Sequence, residues 1–526
     1  VRPLADTRGA SRAAHGGHGS LFESSDPFLF FDYFRIPYRV ASRAKADASA
    51  GGMRWGRIRP VGQGRDRVPT LAWPLVAEAA GRGFAMLEWG GHRLAGIPIF
   101  GNVVRESATP RWVGRADGWR PTDAVVSASG ERVASVWRHP DGSVVLPFDP
   151  GELLHNYWSE RYSRAWTSPV RSRSQALFLN AYYRVRPAIP RRVQIAMRRV
   201  FARSRRPPPF PRWPVETALL DLCDWLFAEV VRLPREPVPW LALWPGGHRW
   251  AVVLTHDVES GSGCANIELL RHPEREMGFR SSWNFVPLRY TGHEDAMAPL
   301  RAEGCEIGVH GLRHDGRDLA SRRQLEARLP AMRAYAARWG AVGFRAPATQ
   351  RVWEWMPSLG FGYDSSYPDT DPYEPQPGGC CSYFPYLNGT TVELPITMPQ
   401  DHTLFAILQH PDASLWLEKI QNIKSWGGMA LILTHPDYAE DRRVTEGYRR
   451  LLQMVREDRT AWQALPRDVS DWWRRRADSH LERGNGTWHV RGPASIDGTI
   501  RFARPESSAL RPESDHDRSD RPARKE

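Results

Sequence analysis

The sequence predicts an α/β fold: a parallel sheet with helical crossovers, open or closed into a barrel, preceded by a smaller β-rich or mixed N-terminal domain. Three observations predict it. From about Arg249 onward, short apolar runs of strand length alternate with stretches of helical spacing. Upstream of about Tyr162 the apolar runs are short and broken by Gly and Pro. Residues suited to acid–base or metal chemistry stand directly after the downstream runs, as they do on the active face of a (β/α) barrel.

The elements follow in order. Residues 1–25 are rich in Gly, Ala, His and Arg and read as disordered. Between 26 and 162, Phe84–Trp89 and Leu94–Val104 read as strands, and Asp141-Gly142 as a hairpin turn ahead of Ser143–Leu146. From 163 to 245 the pattern is that of a helical connection. Val193, Ala196, Met197, Val200 and Phe201 share one helical face, while Arg191, Arg192, Arg198, Arg199, Arg203, Arg205 and Arg206 crowd the same segment. Two readings stand side by side. The basic helix 191–206 makes peripheral contact with an anionic membrane, or it packs its apolar stripe on the neighbouring domain and leaves its arginines in water. Pro207-Pro208-Pro209 ends it. A second helix is expected from Val215 to Val231, with Leu219, Leu222, Leu226 and Val230 inward.

Residues 246–475 form the barrel-like region. Strands are expected at Ala251–Leu254, Ser282–Val286, Glu306–Val309, Val342–Phe344, Thr391–Ile396 and Met429–Leu433, with a helix over 320–339. Residues 476–526 read as a polar tail holding one small hairpin around Gly486–Phe502.

Bulk properties narrow the function. The 526 residues are 41% apolar and 25% charged, which suits a folded chain with a large core. The net charge of +13 favours anionic partners, but no nucleic-acid module signature accompanies it, so nucleic acid is not an expected partner. Five cysteines, an odd number without a C-x-x-C, suggest neither a disulfide framework nor a thiolate zinc site. No run of signal-peptide character and no stretch near the roughly 20 apolar residues of a bilayer span is visible. A cytoplasmic location, with possible contact at the membrane surface, is the expectation.

The chemistry concentrates in two strings, Leu254-Thr255-His256-Asp257-Val258-Glu259 and His310-Gly311-Leu312-Arg313-His314. His310 and His314 are four apart, so a helical turn or tight loop directs both imidazoles one way. Glu259 lies two residues past Asp257, on the same side of an extended segment, and is the best third ligand; His256 points the other way and has no metal role. Two imidazoles and a carboxylate with an open position form the pattern of hydrolytic zinc, although Co2+, Ni2+ and Mn2+ suit the same donors. Asp257 is then the free carboxylate, ionised beside a cation and able to act as a base. Arg345 would hold it by a bidentate pair. His435 would donate a proton to a leaving amine, oriented by Asp364 or Asp437. Asp401 and His402 are further candidates for substrate contact. Plainer readings exist for each: a chance H-x-x-x-H, a surface glutamate, a structural salt bridge, a histidine satisfied in the wall.

Read together, Thr255-His256-Asp257-Val258-Glu259, His310-Gly311 with His314, Phe344-Arg345-Ala346-Pro347, Tyr363-Asp364-Ser365-Ser366-Tyr367 and Leu431-Ile432-Leu433-Thr434-His435-Pro436-Asp437 occur in an order that resembles the five motifs of the NodB-like polysaccharide deacetylases, carbohydrate esterase family 4. The resemblance covers about residues 249–475. It implies a distorted (β/α) barrel and metal-dependent removal of N-acetyl groups from amino sugars, with carbohydrate as the substrate. It also implies Asp257 as base, Glu259, His310 and His314 as metal ligands, Arg345 as the residue positioning the base, and His435 as acid. Many members have adjacent aspartates in the first motif. Here Val258 stands at the second, and Glu259 takes the ligand role in a D-x-E variant. Asp364 matches the fourth motif loosely. The rival expectations are a hydrolase of a non-sugar amide on the same barrel and a non-catalytic glycan-binding protein that uses some of the 23 tryptophans as stacking surfaces.

Overall fold

The computed structural model describes residues 19–41, 54–62, 68–75, 82–88, 96–106, 113, 118–127, 129–163, 191–204, 208–505 and 508–511. Residues 1–18, 164–190, 205–207 and the end of the C-terminal tail lie outside these residues; the disorder expected over 1–25 does not hold at its end, where Phe22–Ser24 form a strand.

The N-terminal part is a nine-stranded sheet among the described residues. Its strands are β1 (Phe22–Ser24), β2 (Tyr38–Val40), β3 (Arg54–Pro60), β4 (Leu71–Leu75), β5 (Arg82–Glu88), β6 (Ile97–Asn102), β7 (Arg120–Ser127), β8 (Arg132–Arg138) and β9 (Val144–Val145), in the order β2-β1-β3-β4-β9-β8-β7-β5-β6. Pairing is antiparallel except at β1/β2 and β4/β9. In β3 the alternation is plain: Gly56, Ile58 and Pro60 are buried, and Arg57 and Arg59 are exposed. The inner face packs on aromatic side chains of the helix Leu29–Phe34 and its flank, with Phe28 stacked on Trp73 at 4.4 Å between ring centroids.

The helices Arg191–Ser204 and Ala218–Val230 lead to β10 (Val238–Leu241). A second sheet then forms from β11 (Trp250–Val258), β12 (Ser282–Phe285), β13 (Glu306–Val309), β14 (Gly343–Phe344), β15 (Tyr363–Asp364), β16 (Tyr386–Asn388), β17 (Thr391–Glu393), β18 (Met429–Thr434) and β19 (Ala461–Gln463). The order is β16-β17-β15-β14-β13-β12-β11-β18, with β19 beside the start of β11. All pairs are parallel except β16/β17. All nine residues of β11 are buried, as in a central strand covered on both faces.

The sheet curls, and the segment after β17 bridges its two edges. Thr397 Oγ1 donates to Met429 O at 2.6 Å and accepts from Leu431 N at 2.8 Å, while Met398 N donates to Leu431 O at 3.2 Å. The expectation of a mixed α/β chain with a curled parallel sheet is met.

Past Arg476 the described residues hold more secondary structure than the single small hairpin expected there. β20 (His480–Gly484) and β21 (Thr487–Arg491) form a hairpin, and β22 (Ile500–Ala503) pairs antiparallel with β10. The arginine Arg476 is buried and donates to Leu241 O, Ala242 O and Tyr33 O, tying the helix after the curled sheet to the segment that precedes it and to the N-terminal part. The N-terminal part is joined to the curled sheet domain as firmly. Arg351 makes a bidentate pair with Glu160 at 2.6 and 2.8 Å, and Tyr162 Oη accepts from Gly379 N at 2.8 Å.

Candidate active site

The site is built where the parallel strands end. On β11 the alternation separates neighbours. His256 turns into the wall, where Nε2 lies 2.7 Å from Glu274 Oε1, Nδ1 lies 2.8 Å from Thr434 Oγ1, and the ring stacks on Trp283. Both ring nitrogens and the ring face are engaged there. Asp257 lies among the site residues. Its Oδ1 accepts from Asn284 Nδ2 at 2.8 Å and from Arg345 Nη1 at 3.2 Å, and its Oδ2 lies 3.7 Å from His310 Nδ1.

The sequence reading expected a bidentate pair with Arg345; the structure gives a single bond instead. Arg345 is buried and spreads its donors: Nε to Ser365 O, Nη2 to Ser365 Oγ, and Nη1 to Thr255 Oγ1 and Asp257 Oδ1. Its guanidinium ties β11 to the loop after β15, and only one bond reaches Asp257. Burial pushes the Asp257 carboxyl up, but His310, Arg345 and His435 together outweigh that and hold it below its ordinary value.

Asn284 was not singled out from the sequence. It stands directly opposite Asp257 in the β11/β12 register. A lone amide in the apolar strand Ser282–Phe285 was the available signal. Gly308 across the next strand makes room for it, since a Cβ there would stand 1.9 Å from Asn284 Oδ1.

After β13 the chain turns as a loop rather than a helix, and both imidazoles come to one place. The turn requires Gly311, whose φ is 63° and whose added Cβ would stand 2.4 Å from Asp318 Oδ2. His314 itself has a positive φ of 54°, a backbone held by its surroundings at some cost. His310 Nδ1 lies 3.1 Å from Arg345 O, so that nitrogen carries a proton.

Glu259, His310 and His314 offer ligand atoms all within 4.8 Å of one another, and all three residues are buried. His310 Nε2 and both ring nitrogens of His314 lack a hydrogen-bond partner. His314 Nε2 even lies 2.9 Å from Glu259 Oε1 without the alignment of a hydrogen bond. Burial lowers the His314 pKa to about 4, so its ring is neutral. Buried imidazole nitrogens without hydrogen-bond partners, converging on a carboxylate, fit a divalent cation, and the donor set suits zinc. Behind them Asp437 accepts from Glu259 N at 2.9 Å and from Ser260 Oγ, so it supports the ligand loop. Asp437 does not orient His435.

His435 follows β18 on the other side. Its partner is Asp401: Nδ1 lies 2.6 Å from Asp401 Oδ1, and the backbone N donates to Asp401 Oδ2 at 2.8 Å. Its Nε2 then faces Glu259 Oε1 at 3.9 Å. Burial alone would lower the His435 pKa, but Asp401, Glu259 and Asp257 raise it to about 10. The sequence reading placed Asp401 among substrate contacts and looked to Asp364 or Asp437 for this task.

Asp364 is buried elsewhere. It accepts from Ser366 Oγ at 2.6 Å and stands across from Glu393 in the β15/β17 register. Burial raises both carboxyls, Asp364 to about 6 and Glu393 well above the carboxylate range. Its bonds brace the wall that carries Ser365 and Arg345, and none of them reaches the imidazole.

No protein family's sequence profile matches the chain, and no curated protein matches it. Solved structures similar to it include a protein described as a polysaccharide deacetylase from Mycobacterium smegmatis, at 21% identity over 46% of this chain and 94% of that one, with a TM-score of 0.37. Another, described as a polysaccharide deacetylase from Pseudomonas aeruginosa PAO1, is 17% identical over 44% of this chain and 93% of that one, with a TM-score of 0.36. The Puue allantoinase is 16% identical over 44% of this chain and 92% of that one, with a TM-score of 0.35. Likenesses of this size carry no functional argument, which rests on the residues themselves.

Proposed function

We propose that this protein is a metal-dependent hydrolase that removes an N-acetyl group from an amino sugar or glycan. The observation that carries the reading is one juxtaposition. A buried Glu259–His310–His314 triad has unpartnered ring nitrogens, with an ionised Asp257 on one side and an Asp401-held His435 on the other.

Glu259, His310 and His314 would hold the ion. When bound there, a divalent ion supplies Lewis-acid polarisation of a carbonyl oxygen and acidifies water. The remaining work belongs to the chain. Asp257, ionised and held by Asn284 and Arg345, accepts the proton of the attacking water. His435 is protonated at neutral pH and keeps its Nδ1 on Asp401, so Nε2 delivers the proton to the departing amine as the carbon–nitrogen bond breaks. Acetate and the free amine leave. An acid and a base with pKa values pushed apart by their surroundings are what such a division of labour requires. The amino-sugar substrate is supported by the order of the five motifs along the chain.

Bound divalent metal and acetate release from N-acetylglucosamine oligomers test this together. His310→Ala should lose the metal. Asp257→Asn should retain it and lose about 10²–10⁴-fold in rate. Full metal in the first variant or full rate in the second sinks the assignment. Turnover of small amides with none on the oligomers would move the substrate to the non-sugar class, and glycan binding without turnover or metal would make the protein a lectin-like relic.

A further inference from the structure

The helix Arg191–Ser204 lies against the barrel with its faces reversed. Arg198 and Arg199 turn toward the barrel, and the exposed Arg203 reaches it at the end of the helix. Arg198 donates to Glu374 Oε1 at 3.1 Å and to Tyr373 O at 3.3 Å, and lies 3.5 Å from His402 Nε2. Arg199 Nε donates to Ala406 O at 2.8 Å, and Arg203 Nη2 donates to Gln409 Oε1 at 2.6 Å. His402 in turn packs near His435 and Tyr438, so this helix borders the candidate site.

The opposite face carries Val193, Ala196, Met197 and Val200, spaced as one helical stripe. Val193 and Met197 are each 47% exposed and Val200 is 66% exposed. An ordinary amphipathic helix would bury these side chains against its neighbour and leave the arginines in water. Here the fold spends the arginines on the barrel and presents the stripe outward.

The charge around the stripe selects its occupant. Residues 191–206 contain no acid, and the sequence places Arg191 and Arg192 at the start of the helix and Arg205 and Arg206 just after it. An apolar stripe in a segment of seven arginines and no acid complements an anionic bilayer, whose acyl boundary takes the stripe and whose headgroups take the charge. A second copy of the chain would bring the same arginines and a net charge of +13 against its own kind. Among the described residues no helix is long and apolar enough to cross a membrane, so the contact is with the surface.

We propose that the helix 191–204 docks this protein on an anionic lipid bilayer through Val193, Met197 and Val200, setting the mouth of the candidate site beside the lipid. The test is co-sedimentation of the full chain with vesicles of phosphatidylcholine alone and of phosphatidylcholine with phosphatidylglycerol. Binding to the second should be at least about tenfold tighter and should weaken as salt rises. Met197→Gln/Val200→Gln should lose at least about tenfold of that binding with circular dichroism and melting unchanged, because both positions face outward. Should the double variant lose its fold, Val200→Glu at the most exposed position carries the same test. Equal binding to the two vesicle types, or a variant that binds like wild type, overturns the proposal. So does concentration-dependent self-association abolished by the same substitutions, which would give the stripe to a second copy. None of these readouts uses the reaction, so the docking proposal and the hydrolase reading fail separately.

Discussion

Asp257 and Asp364 are both 1% exposed and stand on the same curled sheet, yet their carboxyls move in opposite directions. Burial raises both. Asp257 has His310, Arg345 and His435 around it, and their charge overrides desolvation. Asp364 faces another carboxyl, Glu393, and shares Arg345 only at a distance, so desolvation wins. Depth in the protein therefore does not decide which aspartate does chemistry. The cations gathered about it do.

The strongest way to break this contrast is to remove the cation. Arg345→Met leaves Asp257 buried with its neighbours partly unpaired, and the unfolding free energy should fall by about 3–5 kcal/mol in a denaturant titration. Asp257, whose depressed pKa contributes stability above the ordinary carboxylate range, should titrate higher. The acid limb of the rate profile should then move to higher pH. Unchanged stability and an unmoved limb would show that Arg345 is not what distinguishes the two carboxylates.

A second substitution tests the other half of the site. His435 has a folded pKa near 10 against an ordinary 6.5, so its contribution to stability is full below 6.5 and is lost as pH rises toward 10. Asp401→Asn removes the largest upward contribution to that shift. The alkaline limb of kcat/KM should move to lower pH, the rate should drop by about 10–100-fold, and the loss of stability between pH 6.5 and 10 should flatten. A limb that stays in place would mean that Asp401 does not set the protonation of the imidazole.

The smallest effect is expected at Asp364. Its raised pKa means that ionisation is a cost which grows as pH climbs from about 4 through about 6. Asp364→Asn should gain stability relative to wild type above that window and match it below, with a net change within about 1 kcal/mol. Activity should stay near wild type. A large loss of rate with normal folding would place Asp364 in the reaction after all.

Much of the site could be read locally. Strand alternation around Asp257 separated it from His256, and the four-residue spacing of His310 and His314 announced a pair. β13 lies where its apolar run stands, because a central strand buried on both faces is a continuous run. The two-residue strands β14 and β15 and the three-residue β19 were harder or invisible, since so short a segment shows no period. Asn284 was missed because its role is a register across two strands, and Asp401 because its partner is 34 residues away.

By itself the sequence determined which residues leave each strand end, which side of β11 carries the carboxylate, and that the helix 191–204 has one apolar and one basic face. Those are properties of local period and chirality. Tertiary structure decided that Asp401 rather than Asp364 holds His435, that Arg345 reaches Asp257 with a single bond, and that the basic face of the helix is the one turned inward. The reason is the same in each case. A local pattern says which side chains share a face, but the space opposite that face is filled by strands and loops brought there only when the sheet curls.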